Sequence, residues 1–168
     1  METLDAIEKR VSVRSFQPAP VGKEDLEKLV DSGRRAPSAR AIEPWEFVVV
    51  TERPMLSKLG QIADTGGFIA EAGACIAVFC KATKYYLEDG SAATENILLA
   101  ATALGLSTCW VAGDKKPYAP EIEKLLGVPA DVKLISLIAV GVGAKKTKQV
   151  KNRSLKEVLH WEKYRGKG

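Results

Sequence analysis

Apolar positions along this chain follow two spacings, and the spacing changes from segment to segment. From Thr3 to Val11, Leu4, Ile7 and Val11 recur at helical intervals, which predicts a short helix ending before Ser12. Pro18 and Pro20 then mark an extended linker. Lys23 to Ala36 predicts a second helix, acidic in its first turn, apolar at Leu26, Leu29 and Val30, and closed by Arg34 and Arg35 before Pro37. Short, continuously apolar runs at Glu46–Thr51, Ala74–Cys80, Thr108–Ala112 and Lys133–Val142 predict four buried strands. Helices are expected between them at Pro54–Ile62 and Pro120–Leu126. Ser91–Leu104 is apolar almost all round and predicts a central buried helix, capped by Asp89 or Ser91 and stopped by Gly105. Ser154–Tyr164 has the spacing of a last amphipathic helix. Strands apolar on both faces need cover on both faces, so the expected fold is a three-layer α/β or α+β domain.

Composition narrows the class. The chain has 168 residues, 46% hydrophobic and 27% charged, the length and balance of one soluble domain spanning 1–168. Its longest apolar runs, Ala72–Cys80, Ile97–Leu106 and Leu134–Ala144, fall well short of the ~20 residues a membrane span needs. The opening Met1-Glu2-Thr3-Leu4-Asp5 is polar and acidic, unlike a signal peptide. The expected location is the cytoplasm, with no membrane partner. Cys75, Cys80 and Cys109 are odd in number and lack CxxC spacing, so they read as buried free thiols of a reducing compartment. Three scattered cysteines and one histidine, His160, make no recognisable zinc site. The same shortage argues against Ser-His-Asp or Cys-His catalysis.

Charge is unevenly spread. Lys145–Gly168 holds nine Lys/Arg against two Asp/Glu, a net +7, so the first 144 residues carry −3 of the overall +4. Such a tail can serve as a nucleic-acid arm, as a solvated extension, or as one side of an anion site. It lacks the interleaved aromatic platform of a nucleic-acid groove, and the body is acidic, so no nucleic-acid partner is expected.

Three segments carry candidate chemistry. In Arg10-Val11-Ser12-Val13-Arg14, extended backbone would project Arg10, Ser12 and Arg14 to one side, a donor set suited to phosphate. Pro37-Ser38-Ala39-Arg40-Ala41-Ile42-Glu43-Pro44-Trp45 is a proline-bounded polar loop leading into a core strand, the kind of rigid loop that carries ligands. Thr108-Cys109-Trp110-Val111-Ala112-Gly113 ends a buried strand in small residues, where a flat ligand can approach the backbone. Each also has a plain structural reading: surface arginines at a helix end, a Trp packed on the core edge, a tight turn. Val140-Gly141-Val142-Gly143-Ala144 lacks the third glycine of a dinucleotide loop, and no Walker A sequence is present.

Taken in order, these segments resemble the nitroreductase family of FMN-dependent oxidoreductases, over nearly the whole chain. Arg10, Ser12 and Arg14 match that family's Arg-x-Ser-x-Arg segment. Pro37-Ser38 and Pro44-Trp45 match the ends of its Pro-Ser-x-x-Asn-x-Gln-Pro-Trp segment, with Ala41 and Glu43 replacing the usual Asn and Gln. Asn96–Ala101 with Leu104-Gly105-Leu106 is similar to its central helix. Cys109–Gly113 is similar to the strand beside the flavin ring, and Arg153-Ser154-Leu155 to its C-terminal phosphate contact.

The resemblance implies an α+β, three-layer fold with a central mixed sheet flanked by helices, assembled as an intertwined homodimer. It implies FMN as cofactor, NADH or NADPH as electron donor, and a small-molecule acceptor such as a nitroaromatic or quinone. The implied cofactor-binding residues are Arg10, Val11, Ser12, Arg14, Pro37, Ser38, Ala39, Arg40, Ala112, Gly113 and Arg153, with the Pro37–Arg40 loop contacting flavin bound mainly by the other subunit. No side chain is assigned as a general acid, and no metal is implied. The alternative reading is a non-enzymatic flavin- or nucleotide-binding module.

Overall fold

The computed structural model describes residues 1–145 and 147–164. Its elements in chain order are α1 (Thr3–Lys9), α2 (Lys23–Arg34), β1 (Trp45–Val50), α3 (Arg53–Ile62), β2 (Ala74–Lys81), α4 (Tyr86–Ala103), β3 (Ser107–Ala112), α5 (Ala119–Leu125), β4 (Val132–Gly141) and α6 (Leu155–Val158). Four strands lie in the order β1-β2-β4-β3. All neighbouring strands pair antiparallel. Among the described residues, the parallel component is one bridge, Ser12 to Thr108, where the chain after α1 joins the β3 edge.

Strand geometry sends alternate side chains to opposite faces. Cys75, Ala77 and Phe79 of β2 therefore pack with Leu56, Leu59 and Ile122 of α3 and α5. Ala74, Ile76, Val78 and Cys80 pack with Leu26, Leu29, Ala93 and Ile97 of α2 and α4. Both faces are covered, which yields the three layers expected of the apolar strands. Burial pushes the Cys75 and Cys80 thiols up to about 12, and all three cysteines are free and buried.

One irregularity matters for the site. Val78 pairs with Ser136 and Phe79 with Leu134, so Ile135 is the extra residue of a β-bulge. Ile135 and Ser136 both turn toward α4. Gly90 passes so close to Ile135 that a Cβ there would lie 2.6 Å from its Cγ1. Four residues on, Thr94 Oγ1 donates to the Gly90 carbonyl and shares a 2.8 Å hydrogen bond with Ser136 Oγ. The first turns of α4 are thereby pinned to β4 by close packing and a satisfied buried polar pair.

Several element bounds differ from the sequence-based expectations. Helix α1 ends at Lys9, before Val11, because Arg10 is already extended and Val13 N–H donates to the Thr108 carbonyl at 2.9 Å. Helix α4 begins at Tyr86, so Asp89 sits inside the helix and is not its cap. The expected final helix at Ser154–Tyr164 shortens to Leu155–Val158. Amphipathic spacing yields a stable helix only where another surface covers the apolar face. Here Leu155, Val158, Leu159 and Trp161 are exposed. Among the described residues, no helix is long and apolar enough to cross a membrane.

Candidate functional site

The segment after α1 realises the alternation that its sequence foreshadows. Val13 is buried and Val11 packs against the core, while Arg14 faces solvent. Ser12 bridges to Thr108 of β3 in parallel, one residue before Cys109, and Arg14 follows two residues later. Burial raises the Cys109 pKa above its ordinary value, and Ser12 and Arg14 oppose the rise. The segment carrying this hydroxyl and this guanidinium thus runs along the β3 edge. Arg10 is half-buried, with Nε 3.6 Å from Glu95 Oε1 of α4. Gln149 Nε2 donates to the Arg10 carbonyl at 2.6 Å, which ties the start of the tail to this segment.

At the far end of β3, Gly113 is needed for close approach of two backbones. A Cβ at this position would sit 2.5 Å from Leu134 Cγ and 3.0 Å from the Ile135 backbone. Both the Gly113 and Asp114 N–H groups point at the carbonyl of the bulge residue Ile135, at 3.0 and 3.4 Å. The Gly113 amide is therefore committed within the sheet. Ala112 is exposed, and its carbonyl accepts the Tyr118 hydroxyl. Tyr86 of α4 donates its hydroxyl to Asp114 Oδ1 at 2.8 Å. That hydrogen bond is the main reason the Tyr86 pKa lies above its ordinary value.

The Pro37–Arg40 loop meets the same turn of α4. The Asp89 carboxylate, 4% exposed, accepts the Ser38 hydroxyl on Oδ2 and the Ala39 N–H on Oδ1, each at 3.0 Å. Ser38 Oγ in turn accepts the Glu43 N–H at 2.8 Å. Three non-glycine residues of this loop have left-handed backbone: Arg40 (φ 58°), Ala41 (φ 52°) and Glu43 (φ 52°).

Arg153 behaves differently. Its Nη2 donates to the Glu157 carbonyl at 2.5 Å, across the four-residue helix α6. The Glu157 carboxylate accepts both the Ser154 N–H and the Ser154 hydroxyl in a capping box. Glu157 thus takes one Arg153 donor and both Ser154 donors at this helix start in the single protomer, and the other guanidinium donors of Arg153 remain for an anion. Lys146, Arg165 and Lys167, which contribute to the basic excess of the tail, lie outside the described residues.

The first turn of α4 thus joins the Ser38 loop, through Asp89, to the end of β3, through Tyr86. Sequence reasoning missed Asp89, Tyr86, Asp114, Glu95 and Gln149 as site neighbours. The one available signal was the spacing of Tyr86 and Asp89, which places both on one face if the helix starts early.

Comparisons with known proteins bear on the family and the fold. Residues 2–166 match a family model described as "Putative TM nitroreductase". An Archaeoglobus fulgidus protein named "Putative NADH dehydrogenase/NAD(P)H nitroreductase" is 35% identical over 147 residues, covering 83% of this chain and 84% of that one. A crystal structure of a protein of the same name from Parabacteroides distasonis superposes with a TM-score of 0.91 at 31% identity, covering 96% of this chain and 98% of the other. An "FMN-dependent Nitroreductase" from Clostridium difficile superposes with a TM-score of 0.90 at 26% identity, covering 96% and 99%. With the family model spanning nearly every residue and the same fold recurring in these relatives, the chain belongs to the nitroreductase family.

Proposed function

We propose that this protein is an FMN-dependent NAD(P)H oxidoreductase that works as a homodimer. The observation that carries the reading is that the Ser12–Thr108 bridge lays the Arg10–Arg14 segment along the β3 edge, with Arg10 against Glu95 of α4. Two guanidinium groups and a hydroxyl form a donor set that fits a phosphate monoester. The names of the Archaeoglobus and Clostridium relatives support the same cofactor and donor.

Arg10 and Ser12 would hold the phosphate, joined by Arg153, with Val11 backing the segment. For Arg10 to do so, its guanidinium must be shared with, or released from, Glu95. Arg14 would supply a cation to the ribityl chain or the N1/O2 edge of the ring, where positive charge favours the reduced form. The small end of β3, Ala112 and Gly113, would border the ring. The chemistry supplied by bound FMN is two-electron transfer from NADH or NADPH to an oxidised acceptor such as a nitroaromatic or quinone. Pro37, Ser38, Ala39 and Arg40 would wall the cofactor held mainly by the partner subunit. Exposed Leu155, Val158, Leu159 and Trp161 offer the apolar surface that such a partner would cover.

The experiment compares FMN with riboflavin, which lacks the phosphate. Losing one charge-assisted hydrogen bond of about 1.5–3 kcal/mol weakens binding roughly ten- to a hundredfold. Arg10→Ala should therefore weaken FMN by that factor and leave riboflavin nearly unchanged. A colourless protein that binds neither flavin would end the reading. A protein that binds FMN but never oxidises NADH or NADPH, with nitroaromatic or quinone present, would be a binding module instead.

A further inference from the structure

We propose that Asp89 is a positioning residue for the cofactor site, holding the Ser38–Glu43 loop in the strained shape that the site requires. The inference rests on the flavin-site reading above. Asp89 is an acidic side chain almost completely removed from solvent, and among the described residues no guanidinium or ammonium neutralises it in the contacts it makes. A buried carboxylate is costly unless hydrogen bonds satisfy it. Both of its oxygens are satisfied, and both by the same loop, through the Ser38 hydroxyl and the Ala39 N–H.

The loop needs such a hold. Left-handed backbone is unfavourable for residues with a Cβ, and Arg40, Ala41 and Glu43 all adopt it. Backbone strain of this kind persists only where the surroundings over-determine it, and it gathers at functional sites. The bonds form a relay: Asp89 fixes Ser38, and Ser38 Oγ captures the Glu43 N–H five residues on, closing the turn over the strained residues. The relay starts from a rigid base. Asp89 precedes Gly90, which packs without room for a side chain on Ile135, and the Thr94–Ser136 pair locks the next turn to β4. A loop presented from a fixed helix keeps its geometry when ligand arrives, so less ordering is required on binding.

The chemistry of the relay dictates the variants. Asp89→Ala leaves the Ala39 N–H and the Ser38 hydroxyl without their acceptor. Asp89→Asn can replace both bonds, since Oδ1 can accept the Ala39 N–H and Nδ2 can donate to Ser38 Oγ. Ser38→Ala breaks the relay without touching α4, and it serves if Asp89→Ala fails to fold. Two readouts on the full-length protein separate the parts of the proposal. Trypsin nicking after the exposed Arg40, followed by mass spectrometry, reports the loop with or without flavin. Fluorescence titration with FMN reports the site.

Asp89→Ala and Ser38→Ala should each raise nicking at Arg40 about tenfold or more and weaken FMN about tenfold. Asp89→Asn should restore both to within about threefold of the parent. Unchanged nicking in Asp89→Ala would show that Asp89 does not hold the loop. Increased nicking with unchanged FMN affinity would show that the loop is held for packing alone. An Asn variant as damaged as the Ala variant would show that charge acts and the relay does not. A parent protein that takes up no FMN would overturn the site reading and the positioning role together, a result the nicking assay keeps distinct from a failure of the relay.

Discussion

The α4 region and the tail beyond Thr147 both read as helix in the sequence, Ser91–Leu104 apolar almost all round and Ser154–Tyr164 amphipathic. In the fold they are opposites. Around α4, Asp89 and Tyr86 each hold a separate loop, and Gly90 and Thr94 fasten the helix to the sheet. In the tail, Leu155 and Trp161 are 72% and 69% exposed, and the one helix described there spans four residues. The difference is the presence of a covering surface. Helical spacing next to the sheet finds β2 and β4 to pack against, whereas helical spacing in the tail leaves its apolar side chains open to solvent in the single protomer.

The contrast can be tested from its strongest point downward. Gly113→Ala should be the most damaging change, because the added methyl meets Leu134 and the Ile135 backbone, which cannot move aside without breaking the bulge. Overpacking of this kind costs about 1–3 kcal/mol, readable as a lower urea midpoint. A variant destabilised no more than by a surface substitution would refute the close-approach account of this glycine.

Tyr86→Phe should cost about 0.5–1.5 kcal/mol at neutral pH, by losing the bond to Asp114. The bond raises the Tyr86 pKa in the folded state, so its contribution is complete below the unfolded value of about 10 and is lost as pH rises through the higher folded value. Urea unfolding of parent and variant should differ by a constant amount from pH 7 to about 10. The two should converge at higher pH. A gap that widens with pH would mean the phenol ionises more easily in the fold, against the geometry.

Ala41→Asn should stabilise. Ala41 sits at φ 52°, a conformation that Asn visits more readily than Ala. A gain of up to about 1 kcal/mol is expected, seen as a higher thermal midpoint. A loss would indicate that the position lacks room for the larger side chain.

The tail should give the smallest effect. Trp161→Ser ought to change the stability of a separated protomer by less than about 0.5 kcal/mol, measured at protein concentrations low enough to disfavour association. If the proposed dimer covers this surface, the same variant will lower the unfolding midpoint only at higher concentration. Equal losses at both concentrations would mean Trp161 packs on its own protomer.

The alternation in Arg10–Arg14 made one part of the site legible, because period-two spacing tells which residues share a side before any partner is known. The four strands, the helices between them and the three-layer arrangement were legible for a similar reason. Burial on both faces leaves few polar positions in a strand, and that shows directly in the residues. Asp89 was not legible. A lone Asp near a helix start has a local explanation, capping, which the sequence alone favours. Only the fold shows that the helix begins three residues earlier and that the carboxylate faces a loop some fifty positions upstream. For Gly113 the sequence leaves two readings, room for a flat ligand and a tight turn, and only the fold adds its close approach to Leu134 and to the Ile135 carbonyl at the β4 bulge. The tail helix was over-read because spacing records which side chains could share a face, not whether a surface exists to cover it. Periodicity, composition and turn residues are properties of neighbours along the chain, and the sequence by itself determined what depends on them. Register, bulge position, the early start of α4 and the pairing of Asp89 with Ser38 depend on contacts between distant segments, and only the tertiary structure could decide those.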